Sequence, residues 1–137
     1  MVRGGKSRGI LIGGYLVNFA AMMNGNYFHI NKDKKYILFL EDYERYSSPA
    51  VVSKWFCHIE QSGFFRNIIG LIFGHYSENR QPLIIDILRR IGENNNIPVV
   101  CCDDFGHGKN NSIFPIGIYA ELDAENGFFN FCESGVL

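Results

Sequence analysis

Tyr36-Ile37-Leu38-Phe39-Leu40-Glu41-Asp42-Tyr43-Glu44 runs from five apolar residues straight into an acidic cluster. A run this short and unbroken is the pattern of a strand buried on both faces, which needs a layer of structure above and below it. Tyr36 to Leu40 is therefore expected at the centre of a sheet. Its end delivers Glu41 just past the strand, where open α/β sheets build their sites.

Working outward, the polar turn Lys32-Asp33-Lys34-Lys35 feeds this strand. Upstream, Gly9 to Ile12 reads as a first strand and Gly13-Gly14 as the turn into a short helix from Tyr15 to about Met23, ended by Asn24-Gly25-Asn26. Two glycines without a further Gly-x-x-Gly or Gly-Lys-Ser/Thr pattern are a tight turn rather than a phosphate loop. Downstream, Ser48 is an N-cap with Pro49 at the first helical position, and Val52, Trp55, Phe56 and Ile59 form an apolar stripe ended by Gly63. Ile68 to Phe73 repeats the buried-strand pattern. Pro82 opens a second amphipathic helix carrying Leu83, Ile84, Ile87, Leu88 and Ile91 and stopping at Gly92, and Ile97 to Cys101 is a further strand. Strand and helix thus alternate through Val100, the signature of a mostly parallel α/β sheet. The last third differs: Ile116 to Leu122 and Phe128 to Cys132 flank Asp123-Ala124-Glu125-Asn126-Gly127, a C-terminal β-hairpin.

The chain has 137 residues, 47% of them hydrophobic and 20% charged, with a net charge of −1. It is long enough for one domain with its own core, and it lacks the basic excess of a nucleic-acid binder. The most apolar stretch, Gly9 to Met23, is too short to span a bilayer and is interrupted by Asn18, so neither a membrane anchor nor secretory targeting is expected. Cys57, Cys101, Cys102 and Cys132 lack paired C-x-x-C spacing, and read as reduced, mostly buried thiols of a cytoplasmic protein. The run Cys101-Cys102-Asp103-Asp104 with His107 is not read as a metal site, because adjacent ligands converge poorly on one tetrahedral ion, and no cofactor is expected.

Asp104-Phe105-Gly106-His107-Gly108 follows the Ile97 to Cys101 strand and presents a histidine between two glycines, a setting that suits a ring offered to a ligand. Glu41 and His107 can supply the carboxylate and imidazole of a hydrolytic triad, in which the carboxylate holds one ring nitrogen so that the other takes the proton of a hydroxyl. No Gly-x-Ser-x-Gly elbow is present. Asp42 reads as a cap of the following turn and Glu44 as a solvent-facing residue beside Arg45, and both stay as fallback carboxylates. His58 reads as a partly buried helix residue and His29 as a loop residue. His75, after a strand and a glycine, has no partner visible in the sequence, and the site is drawn without it.

Four motifs in order, Gly9 to Leu16, Leu38 to Asp42, Pro98 to Val100 with Phe105-Gly106-His107, and Phe114 to Gly117, resemble the C-terminal domain of the LD-carboxypeptidase family, across essentially the whole chain. That family includes muramoyl-tetrapeptide carboxypeptidases of peptidoglycan recycling and the peptidases of microcin C immunity. The resemblance implies a swivelling β/β/α-type domain of a serine peptidase, whose Ser-Glu-His triad takes its serine from an N-terminal flavodoxin-like domain. Carried over by position, the glutamate is Glu41 and the histidine His107. Tyr15 departs from the family's Gly-Gly-Asn-Leu pattern. Residues 1–137 are thus expected to be a C-terminal domain without its nucleophile domain, inactive alone, acting with it on a muropeptide or a peptide nucleotide. The alternative is a free-standing binding module of the same fold. With the nucleophile domain absent, the face bearing Glu41 and His107 should be open, leaving Phe105 less buried than its chemistry suggests and inviting self-association as a homodimer.

Overall fold

The computed structural model describes every residue except Asn24, Tyr27 and Leu137. Six strands form one mixed sheet: β1 (Lys6–Tyr15), β2 (Tyr36–Glu41), β3 (Ile68–His75), β4 (Val99–Gly106), β5 (Tyr119–Asp123) and β6 (Phe128–Phe131). Their order is β4-β3-β2-β1-β5-β6. The first four run parallel, and the β5–β6 hairpin is added antiparallel beside β1. Three helices connect the parallel strands: α1 (Leu16–Met22), α2 (Pro49–Gln61) and α3 (Pro82–Asn95). This is the expected α/β class, with a mostly parallel sheet and a C-terminal hairpin. Among the described residues no helix is long and apolar enough to cross a membrane.

The two-residue period of β2 divides the core. Tyr36, Leu38 and Leu40 face the helices, joining Phe19 of α1, Val52, Phe56 and Ile59 of α2, and Ile84, Leu88 and Ile91 of α3. Ile37 and Phe39 face the other way and meet Leu11, Ile72, Phe105, Ala120 and Leu122, with Phe114 and Phe129 closing over them. Both faces of the central strands are covered, so an uninterrupted apolar run was the right reading for β2.

Several local expectations change. Gly13 and Gly14 lie inside β1 and do not form a turn. A Cβ on Gly13 would stand 1.7 Å from the carbonyl oxygen of Phe39, so the glycine there serves close strand approach. Helix α1 ends at Met22 with Met23 as its cap; of the expected stop, Asn24 lies outside the described residues. Ser48 is the N-cap of α2 but its hydroxyl makes no capping bond. Gly92 does not stop α3: it is buried within it against Val99, and Asn96 ends the helix in the left-handed conformation. Leu83 is exposed rather than part of the apolar stripe. Strand β4 begins two residues later than read and extends to Gly106, and β5 begins only at Tyr119. The cysteines are not mostly buried: Cys57 and Cys101 are exposed and Cys102 and Cys132 half-buried, all four unpaired. For Cys101 and Cys102 this follows from tertiary placement, since β4 is an edge strand.

Candidate active site

The carboxyl ends of the four parallel strands converge here, bringing Tyr15 from β1, Glu41 from β2, His75 from β3 and, just past Gly106 of β4, His107. Tyr15 and Glu41 are register partners, as are His75 and Gly106. His107 Nδ1 lies 3.1 Å from Glu41 Oε2, joining residues far apart in sequence. The Glu41 side chain is 23% exposed and that of His107 37%, so the pair is partly withdrawn from water yet open on one side. A carboxylate at Nδ1 favours the proton on that nitrogen and leaves Nε2 as the basic one.

Gly106 has φ of 99°, and a Cβ there would stand 2.8 Å from Glu41 Oε2. Glycine is what allows the backbone to pass this close to the carboxylate. Asp42 is fully buried and does not face the histidine. Its Oδ1 accepts the Tyr43 N–H at 2.7 Å, the expected cap, and also the Tyr15 hydroxyl at 2.9 Å. Burial first, and then the hydrogen bond to Asp42, push the Tyr15 phenol up to about 12, so it stays neutral and donating. Glu44 is exposed, as read.

Three tyrosines that the sequence reading did not place around the histidine surround its ring. Tyr43 stacks on it with ring centroids 5.0 Å apart and planes 8° from parallel, while Tyr15 and Tyr46 meet it edge-on at 5.7 and 6.3 Å. The turn that carries Tyr43 and Tyr46 is tied by the N–H groups of Tyr46 and Ser47, both donating to the Tyr43 carbonyl, and by Glu44 N–H donating to the Tyr76 carbonyl. The signal was the tyrosine density just after Glu41, at Tyr43 and Tyr46. Its meaning depended on where His107 lay. His75 is not isolated either: its Nδ1 lies 3.0 Å from Asp103 Oδ1. Phe105, expected to be less buried than its chemistry suggests, is only 5% exposed, because it turns into the second core against Phe39 and Phe114. Among the described residues no serine or threonine hydroxyl is hydrogen-bonded to His107, and no cluster of three or more metal-ligating side chains occurs.

The profile of the LD-carboxypeptidase C-terminal domain family matches residues 8–122 of this chain. The chain belongs to that family. A protein of Synechocystis named "Putative carboxypeptidase" is 34% identical over 104 residues, 69% of this chain and 33% of the relative. The crystal structure of a muramoyltetrapeptide carboxypeptidase from Oxalobacter formigenes superimposes with a TM-score of 0.74 at 27% identity, covering 92% of this chain and 45% of that one. The microcin C7 self immunity protein MccF, in complex with aspartyl sulfamoyl adenosine, shares the fold at a TM-score of 0.79 and 23% identity, over 98% of this chain and 40% of its own. The chain therefore spans about a third of the length of the curated carboxypeptidase relative.

Proposed function

We propose that residues 1–137 are the C-terminal domain of a serine-type LD-carboxypeptidase, with Glu41 and His107 completing a triad whose serine lies on a separate N-terminal domain. The observation that carries this reading is the 3.1 Å contact of His107 Nδ1 with Glu41, made at the carboxyl ends of the parallel strands in a chain of this family. The length shortfall against the relatives supports the two-domain arrangement.

In the proposed reaction, His107 Nε2 takes the proton of the incoming serine hydroxyl as its oxygen attacks the peptide carbonyl. The imidazolium that forms is stabilised by Glu41, and it gives its proton to the leaving amine when the tetrahedral adduct collapses to an acyl-enzyme. Water, activated by the same nitrogen, then releases the acid. The tyrosine collar limits rotation of the ring, so that Nε2 keeps one direction while the serine is supplied from outside. The substrate class is a peptide with an amide next to its free carboxylate, such as the muramoyl tetrapeptide named for the Oxalobacter enzyme. The alternative class is a peptide nucleotide, a direction supported by the aminoacyl nucleoside, aspartyl sulfamoyl adenosine, bound in the MccF structure. The free cysteines fit work in the cytoplasm, where thiols stay reduced.

The test is complementation. The chain alone should not hydrolyse a muramoyl tetrapeptide, and adding a folded serine-bearing N-terminal domain should restore release of the terminal residue. Glu41→Gln should lower kcat by on the order of 10³–10⁴, the scale of losing the group that orients a catalytic histidine. His107→Ala should abolish turnover with domain association retained. Folded domains that neither associate nor regain hydrolysis at high concentration would favour the free-standing binding module instead.

A further inference from the structure

Strands β3 and β4 run in step from Leu71 opposite Val99 to Phe73 opposite Cys101, and then lose step. From Phe73 to His75 β3 advances two positions, while from Cys101 to Gly106 β4 advances five. The three extra residues bulge outward, leaving Asp103 and Asp104 exposed, before Phe105 turns back into the core. Bulges of this kind re-aim a strand next to a site. Here the bulge decides where Gly106 and His107 arrive relative to Glu41.

One residue touches the bulge at both ends. His75, whose side chain is 12% exposed, reaches Asp103 at the start of the bulge through Nδ1 at 3.0 Å. Its backbone pairs with Gly106 at the end of the bulge, and its ring lies against Gly108, where a Cβ would stand 2.8 Å from His75 Cγ. The 106–108 turn thus rests on the His75 ring on one side and on Glu41 on the other. No contact between His75 and His107 is needed for this.

We infer that His75 is a positioning residue: with Asp103 it clasps the β4 bulge and thereby sets the distance between His107 and Glu41. The catalytic consequence rests on the triad proposed above; the structural consequence does not. In the reading the clasp makes, His75 Nδ1–H donates to Asp103, and the ring fills the space beside Gly108 that a smaller side chain leaves empty.

The experiment uses this chain and long-range proton–nitrogen NMR of its imidazoles at pH 8, with the His107 signals assigned through His107→Gln. Wild type should show the His107 proton predominantly on Nδ1, facing Glu41. Asp103→Ala removes an 83% exposed side chain and should leave the thermal midpoint nearly unchanged, yet it should lower the His107 tautomer ratio roughly threefold to fivefold, the range a hydrogen-bonded surface pair supports. His75→Phe, which keeps a ring but loses the donor, should do the same, and the double variant should show no further loss, as expected of two residues acting through one contact. His75→Asn, which restores a donor near the Nδ1 position, should recover part of the ratio. With the nucleophile domain present, kcat should fall by the same factor at unchanged KM. His107 signals that stay at their wild-type positions in both Asp103→Ala and His75→Phe overturn the clasp, whatever the activity. Hydrolysis that survives Glu41→Gln overturns the triad instead, and leaves the NMR result to stand.

Discussion

At Gly106 the chain trades side-chain choice for reach. Its positive φ and the 2.8 Å approach to Glu41 Oε2 leave no room for a Cβ, so alanine is refused by backbone and neighbour alike. Gly106→Ala should therefore destabilise the domain by roughly 1–3 kcal/mol through local strain, read from the urea midpoint, and should push the Glu41 carboxylate away from His107. Unchanged stability and an unchanged His107 tautomer would show that the turn has slack the geometry does not suggest. The glycines around His107 were legible in the sequence, because few residues besides glycine flank a presented ring in this way. That one of them faces Glu41 and the other His75 was not, since the partners lie on strands β2 and β3.

Among the elements, the β5–β6 hairpin shows a turn organised by one carboxylate. Asp123 Oδ1 accepts the N–H groups of Glu125 and Asn126, while Oδ2 accepts the Asn126 side-chain amide and is reached by Lys6 of β1 at 2.8 Å. The hydrogen bond from Lys6, then those from Asn126, hold the Asp123 carboxyl at about 2, below its ordinary 3.8. A depressed carboxyl contributes stability above its unfolded value that is lost as pH falls through the folded one. Asp123→Asn should thus be less stable than wild type near neutral pH, with the difference shrinking from about pH 5 and mostly lost by pH 2, as followed by thermal melts across that window. A difference undiminished between neutral pH and pH 2 would assign the effect to the turn's hydrogen bonds rather than to charge. The Asn-Gly pair made this hairpin readable; the cross-strand role of Lys6 depended on β5 lying beside β1, which local pattern does not specify.

For the whole molecule, the sheet separates a large helix-side core from a smaller one capped by Phe105, Phe114 and Phe129. Leu88 is fully buried where α3 meets the sheet. Leu88→Ala should cost about 3–5 kcal/mol and lower the thermal midpoint by about 10 °C, by removing apolar contact and leaving a cavity that the rigid strands cannot fill. A loss under about 1 kcal/mol would mean that α3 shifts to close the gap. The second core has a functional consequence, because it draws Phe105 inward and so fixes the strand end from which His107 projects. The expected apolar face around the site is instead built from tyrosines, whose rings contact His107.

The linear chain by itself determined the alternation of strands and helices, the buried centre at Tyr36 to Leu40, the hairpin, and Glu41 and His107 as the residues to watch. Each is a local property: side-chain period, turn chemistry, or a titratable group at the end of an apolar run. Only the tertiary structure decided that Gly13 and Gly14 continue a strand, that Phe105 is buried, that Asp42 binds Tyr15 while Glu41 meets the histidine, and that His75 has Asp103. Those outcomes depend on strand order, on register and on the bulge that advances β4 by five residues against two. A shift of one residue in any of them would turn a different side chain toward His107, and nothing in the local sequence measures that shift.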